Sequence, residues 1–141
     1  MILKGENSFL EIDVLSATRS LSADFWENNW LHCSIKGEFP GFLVNCSVTL
    51  RTDDFQRCFN DLQHLISFEK KNAFFLTLEE GLMINFILDD TGIIKITGYI
   101  IATDLTGCKL EFNFLTDISR VQKFAFEINS LITDYPIIGS P

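Results

Sequence analysis

Apolar and polar residues alternate from Phe9 to Leu15, with Leu10, Ile12 and Val14 on one side and Glu11 and Asp13 on the other. That is the period of a half-buried strand. A polar stretch, Ser16 to Ala23, separates it from Trp30–Lys36, where Leu31, Cys33 and Ile35 share a face and predict a second strand. Gly37-Glu38-Phe39-Pro40-Gly41 supplies turn residues for a hairpin into Phe42–Leu50. There Phe42, Val44, Cys46, Val48 and Leu50 repeat at strict period two, the clearest strand of the chain.

The period then changes. Phe55, Cys58, Phe59, Leu62, Leu65 and Ile66 recur at three and four and line one face of a helix over about Asp53–Phe68. Thr52 is its expected cap, Asp53 and Asp54 suit its first turn, and His64 and Lys70-Lys71 lie near or beyond its other end. Strand patterns return at Ala73–Leu78, Leu82–Leu88, Ile93–Ala102 and Cys108–Leu115, joined by Glu79-Glu80-Gly81, Asp89-Asp90-Thr91-Gly92 and Thr103–Gly107. Such short joints favour antiparallel neighbours, because a parallel crossover needs about a dozen residues or more. Ile118, Val121, Phe124, Ala125, Ile128, Leu131 and Ile132 then form a helical stripe, opened by Thr116-Asp117 and closed before Pro136. The expected architecture is α+β. Three strands, a helix, four strands and a helix build a largely antiparallel curved sheet of about seven strands with two packed helices, all in a single domain over residues 1–141.

Composition narrows the function classes. The chain has 141 residues, 47 % of them apolar and 14 of them phenylalanine, which excludes disorder. Nineteen acidic against eleven basic residues give a net charge of −8, shared evenly by the two halves. That charge repels phosphate backbones and anionic lipid, so no nucleic acid and no membrane partner is expected. It serves solubility, or steers the chain toward a basic partner. No apolar run approaches the ~18 to 20 residues of a membrane span. The N-terminus, Met1-Ile2-Leu3-Lys4-Gly5-Glu6, lacks the pattern of a signal peptide, which places the protein in the cytoplasm. Cys33, Cys46, Cys58 and Cys108 read as free thiols, three of them on apolar faces.

Catalytic and metal signatures are missing. His32 and His64 have no partners at metalloprotease or zinc-finger spacing and read as surface imidazoles. Cys33 and His32 are strand neighbours and point to opposite faces, so they make no catalytic pair. Neither a phosphate-binding glycine motif nor a hydrolase nucleophile elbow is present. Glu79-Glu80 and Asp89-Asp90 lie in turns as solvated charge. No catalytic residue, metal or cofactor is expected.

One segment stands out. Asp24-Phe25-Trp26-Glu27-Asn28-Asn29-Trp30-Leu31 gathers both tryptophans of the chain between acids and asparagines. Asn28-Asn29 can take left-handed backbone angles in a turn, and the aromatic rings can anchor the loop on a sheet edge. Alternatively Asp24, Trp26, Glu27 and Trp30 form a binding epitope, since aromatic anchors carry interface energy and acidic rims raise association rates.

Leu10-Glu11-Ile12-Asp13-Val14-Leu15, the polar gap and the Asp24–Leu31 segment resemble the opening of the WapI family, immunity proteins that accompany Wap-type contact-dependent toxins in bacteria. The family pattern is a strand like LEIxxL followed by D-Y/F-W-D-G-N-W-L. Asp24, Phe25, Trp26, Asn29, Trp30 and Leu31 match it, Glu27 replaces the usual Asp, and Asn28 replaces the usual Gly, a mild change because Asn tolerates positive φ. A weaker likeness runs through the Thr52-Asp53 helix start, the Glu79-Glu80-Gly81-Leu82 turn and the helix end before Tyr135-Pro136. The resemblance implies a non-enzymatic protein that binds a cognate toxin domain and covers its active site or substrate path. Two rivals remain at this level. One is a small-ligand-binding domain or weak enzyme with a pocket beside the Trp26/Trp30 loop that converges with His32. The other is a structural interaction module with a different partner.

Overall fold

The computed structural model describes residues 1–20, 24–102 and 107–141. The end of the polar Ser16–Ala23 stretch and all but Gly107 of the expected Thr103–Gly107 turn lie outside the described residues. The elements are β1 (Ile2–Gly5), β2 (Ser8–Ala17), β3 (Trp30–Phe39), β4 (Phe42–Arg51), α1 (Thr52–Ile66), β5 (Asn72–Leu76), β6 (Leu82–Leu88), β7 (Ile93–Ile101), β8 (Lys109–Asp117) and α2 (Ile118–Asp134). The class is α+β, as expected. The single curved sheet is not found: two four-stranded antiparallel meanders, β1-β2-β3-β4 and β5-β6-β7-β8, each run into a helix.

The missed strand is β1, which brings the described strands to eight. It is four residues long and buries Leu3 and Gly5 while exposing Ile2 and Lys4, too short a pattern to register as a period. The two sheets meet where β1 passes β8. The Glu6 amide donates to Leu115 O at 3.0 Å, and the Thr116 hydroxyl donates to Lys4 O at 2.6 Å. A side chain at Gly5 would strike Leu115 O and the Phe114 ring, so this close approach requires glycine.

The helices cross over. α1 follows the first sheet but packs on β5, α2 follows the second but packs on β1, and the helices pack on each other. One contiguous core results, with Leu10, Ile12, Leu31, Cys33 and Ile35 from the first sheet facing Phe55, Leu62, Phe75, Phe86 and Phe124. Edge strand β5 is shielded by α1, whose Asp61 carboxylate accepts from the Phe74 amide at 2.8 Å and whose Asp54 accepts from the Leu78 amide at 3.3 Å.

Local details depart from expectation in three places. Gly37 and Glu38 belong to β3, and the hairpin turns at Pro40-Gly41 alone, with Gly41 at φ +85°. Gly37 is needed inside the strand because the Phe39 ring occupies the space a Cβ would take. Thr52 is the first helical residue of α1 and not its cap. The cap position is Arg51, whose amide is held by the Asp54 carboxylate at 2.9 Å. The alternation of β2 breaks after Val14: a bulge leaves Leu15 without a register partner, so that Ser16 lies opposite His32 and Ala17 opposite the buried Leu31. Of the four cysteines, Cys33 and Cys58 are buried, Cys46 is half-buried, and Cys108 is exposed, on neither apolar face nor core.

Candidate partner-binding site around the tryptophan loop

The Asp24–Asn29 loop is folded over one buried cation. Hairpin register places Arg51, the last residue of β4, opposite Trp30, the first of β3. Its side chain is fully buried. The guanidinium donates to Phe25 O at 3.0 Å, Trp26 O at 2.9 Å and Asn28 O at 3.3 Å, and pairs with Asp53 at 2.8 Å. Three rings surround it, with centroids of Phe25, Trp26 and Trp30 at 5.0, 5.3 and 4.9 Å. Backbone carbonyls with no strand to pair with are thus satisfied by a side chain from the neighbouring strand, and the charge is met by a carboxylate and three π faces.

The two asparagines have separate tasks. Asn29, and not Asn28, takes the left-handed backbone, at φ +70°. Its buried amide donates to Phe25 O at 3.1 Å and Ile138 O at 3.0 Å, while its oxygen accepts from the Ile138 amide at 2.8 Å, tying the loop to the C-terminal segment. Asn28 exchanges two hydrogen bonds with the backbone of Ser20, at 2.8 and 2.9 Å. Asp24 closes the loop, its carboxylate accepting from the Glu27 amide at 2.8 Å and its carbonyl from the Asn28 amide at 2.9 Å.

This scaffold fixes what the loop shows to solvent. Trp26 is 53 % exposed and stands edge-on to Phe25 at 4.9 Å. Trp30 is half-buried, and its indole nitrogen donates to Trp26 O at 2.8 Å. The Asp24 and Glu27 side chains are exposed. Three of the four sequence-derived candidates therefore lie on the loop and the fourth, Trp30, on the strand residue that follows it, with the indoles braced and the carboxylates in water. Beside it lies an open groove of about 320 Å³ lined by Trp30, Thr49, Glu79 and Gly81, so the β5–β6 turn adds the Glu79 carboxylate to this side. His32 is exposed on the strand face and does not line the groove, so the convergence expected of a ligand pocket is not found.

Other candidates resolve as structure. His64 is exposed and bonded to Glu69 at 2.5 Å, which holds the Glu69 carboxyl below its usual range. The Asp89 carboxylate accepts from the Thr91 amide, the Thr91 hydroxyl and the Ile93 amide, a self-contained turn that lowers its pKa. Among the described residues, no group of three or more His, Cys, Asp or Glu side chains is placed to hold a metal ion, and no helix is long and apolar enough to cross a membrane.

Arg51 escaped the sequence reading. A signal was present: a charged residue closing the strict alternation of Phe42–Leu50, which a two-residue hairpin turn places across from Trp30. Only the fold, however, brings the Asp24–Asn29 carbonyls over it.

Residues 1–136 match the model of the immunity protein WapI-like family. No curated protein matches the chain. Among solved structures, the chain is similar to a crystal structure of Trypanosoma bruciei MRP1/MRP2, at 9 % identity and a TM-score of 0.47, over 94 % of this chain and 83 % of that one.

Proposed function

We propose that the chain, which belongs to the immunity protein WapI-like family, binds a cognate bacterial toxin domain and neutralises it by occlusion, with no chemistry of its own. The family supports a protein partner and a non-enzymatic role. The observation that carries the site is the bracing of Trp26. An indole half in water, with its carbonyl held by Arg51 and Trp30, is a preorganised anchor that loses little conformational freedom on binding. Asp24 and Glu27 flank it, and Glu79 faces the adjoining groove. On a chain of net charge −8, these carboxylates suit a basic partner surface and speed its encounter. On this reading the chain works in the cytoplasm.

The test is direct binding between this chain and the C-terminal domain of the toxin encoded beside its gene. Trp26→Ala is expected to keep the fold and weaken the complex by about 30-fold or more, the effect of losing a hot-spot aromatic. The Asp24→Asn/Glu27→Gln double variant is expected to slow association and flatten its salt dependence. Unchanged affinity in Trp26→Ala would remove the loop from the interface. No binding by the wild-type chain would remove the toxin reading itself.

A further inference from the structure

An antiparallel sheet covered on one face by helices ordinarily shows polar side chains to water on the other. The first sheet does so along its middle, its exposed Ile2, Leu15 and Leu43 lying at its margins. Across the centre of its outer face Glu11 opposes Lys36, Asp13 opposes Ser34, and His32 opposes Thr49. The second sheet, in the same molecule and the same solvent, does not. Phe74, Leu76, Ile87, Ile93 and Leu115 project from its outer face at 39, 56, 40, 43 and 45 % exposure. Along its middle, Asn85, Thr97 and Asn113 lie side by side on β6, β7 and β8. The Asn85 side-chain oxygen has no hydrogen-bond partner among the described residues.

Charge decides what fits there. The chain carries −8, yet the charges on this face are Lys95, Lys109, Glu111 and, at its end opposite Ile93, Asp117; Glu111 is paired with Lys109 at 3.5 Å and Asp117 with Arg120 at 3.8 Å. No carboxylate on the face lacks a cationic neighbour, whereas the tryptophan loop exposes Asp24 and Glu27. A basic partner is drawn to that loop. The outer face of the second sheet is where a second, equally acidic copy can approach without setting carboxylate against carboxylate. Its central row is also self-complementary, because Asn and Thr each donate and accept, as a twofold interface demands.

We propose that the outer face of β5–β8 pairs two copies of this chain about a twofold axis, sheet against sheet. The contact is independent of toxin binding and leaves the tryptophan loop open. Four strands about 4.8 Å apart and seven residues long offer roughly 400 Å² of flat face, about half of what each partner gives in a standard interface. A contact of that size is weak, and the dimer forms only at high protein concentration.

Sedimentation velocity of the full chain from about 5 to 500 μM tests this. Wild type is expected to rise from monomer to dimer mass across that range. Leu76→Lys/Ile87→Lys is expected to stay monomeric throughout with an unchanged circular dichroism spectrum. Leu115→Gln, the variant used if the double substitution does not fold, is expected to weaken the dimer at least tenfold. Leu43→Lys, an equal change at an 81 % exposed leucine on the other sheet, is expected to dimerise like wild type. A wild-type chain that remains monomeric at 500 μM overturns the proposal, as does a dimer indifferent to both face variants or abolished by Leu43→Lys.

Discussion

Replacing Arg51 by methionine keeps an unbranched side chain of similar length and removes the charge and every donor at the centre of the loop. The cost follows from the contacts the guanidinium makes. Trp26 O retains the Trp30 indole at 2.8 Å and Phe25 O retains the Asn29 amide at 3.1 Å, but the charged donor is lost to Phe25 O, Trp26 O and Asn28 O alike. Losing a hydrogen bond from a charged donor costs about 1.5–3 kcal/mol. The three ring contacts contribute about 0.5–2 kcal/mol each and do not add fully, because one cation serves all three. Asp53 keeps Arg57 at 3.2 Å and is not orphaned. The sum is about 3–5 kcal/mol. That is a third or more of the ~5–15 kcal/mol that holds a domain together. Urea unfolding followed by tryptophan fluorescence is the assay, since both tryptophans lie against this cation. Arg51→Lys is expected to lose most of the same energy, because an ammonium lacks the planar fork that reaches several carbonyls while stacking on rings. A loss below about 1 kcal/mol in Arg51→Met would refute the account, leaving the aromatic packing of the loop to hold itself.

Three further outcomes follow from packing and ionisation. Gly98→Ala is expected to destabilise by about 3 kcal/mol or more, since its Cβ would sit 2.1 Å from Met83 O, whereas Gly41→Ala, at φ +85° with open space around it, costs only about 1–2 kcal/mol of backbone strain; thermal melts compare the two. Asp117 caps α2 through the Arg120 amide at 2.9 Å, and this bond and that of Ser119 lower its pKa from 3.8. A carboxyl depressed by folding stabilises above its unfolded pKa and loses that stabilisation as pH falls through the folded value. Asp117→Ala is thus expected to cost about 1 kcal/mol at pH 7 and progressively less below about pH 4 in denaturant melts. Burial, aided by the Asp13 charge, pushes the Cys33 thiol up to about 12, and burial raises Cys58 as well. In a thiol-reagent titration at pH 8, Cys108 is expected to react in the native protein, and Cys33 and Cys58 only after unfolding.

The sequence by itself determined the local elements. Period-two alternation in β2, β3 and β4 and the helical stripes of α1 and α2 are consequences of burying one face, and they are written residue by residue. It also determined the charge balance and the loop that carries the family likeness. Tertiary structure decided how those faces were shared. The strands before α1 and those after it have similar alternation, and nothing local says whether they extend one sheet or form two, because that depends on each helix packing on the first strand of the other sheet. β1 exists because β2, β8 and α2 are there to receive it. Arg51 became the keystone of the loop only once hairpin register set it opposite Trp30 and the Asp24–Asn29 carbonyls closed over it. Periodicity records which side of an element meets water. A contact between residues far apart in the chain depends on where the intervening elements go, and only the folded molecule fixes that.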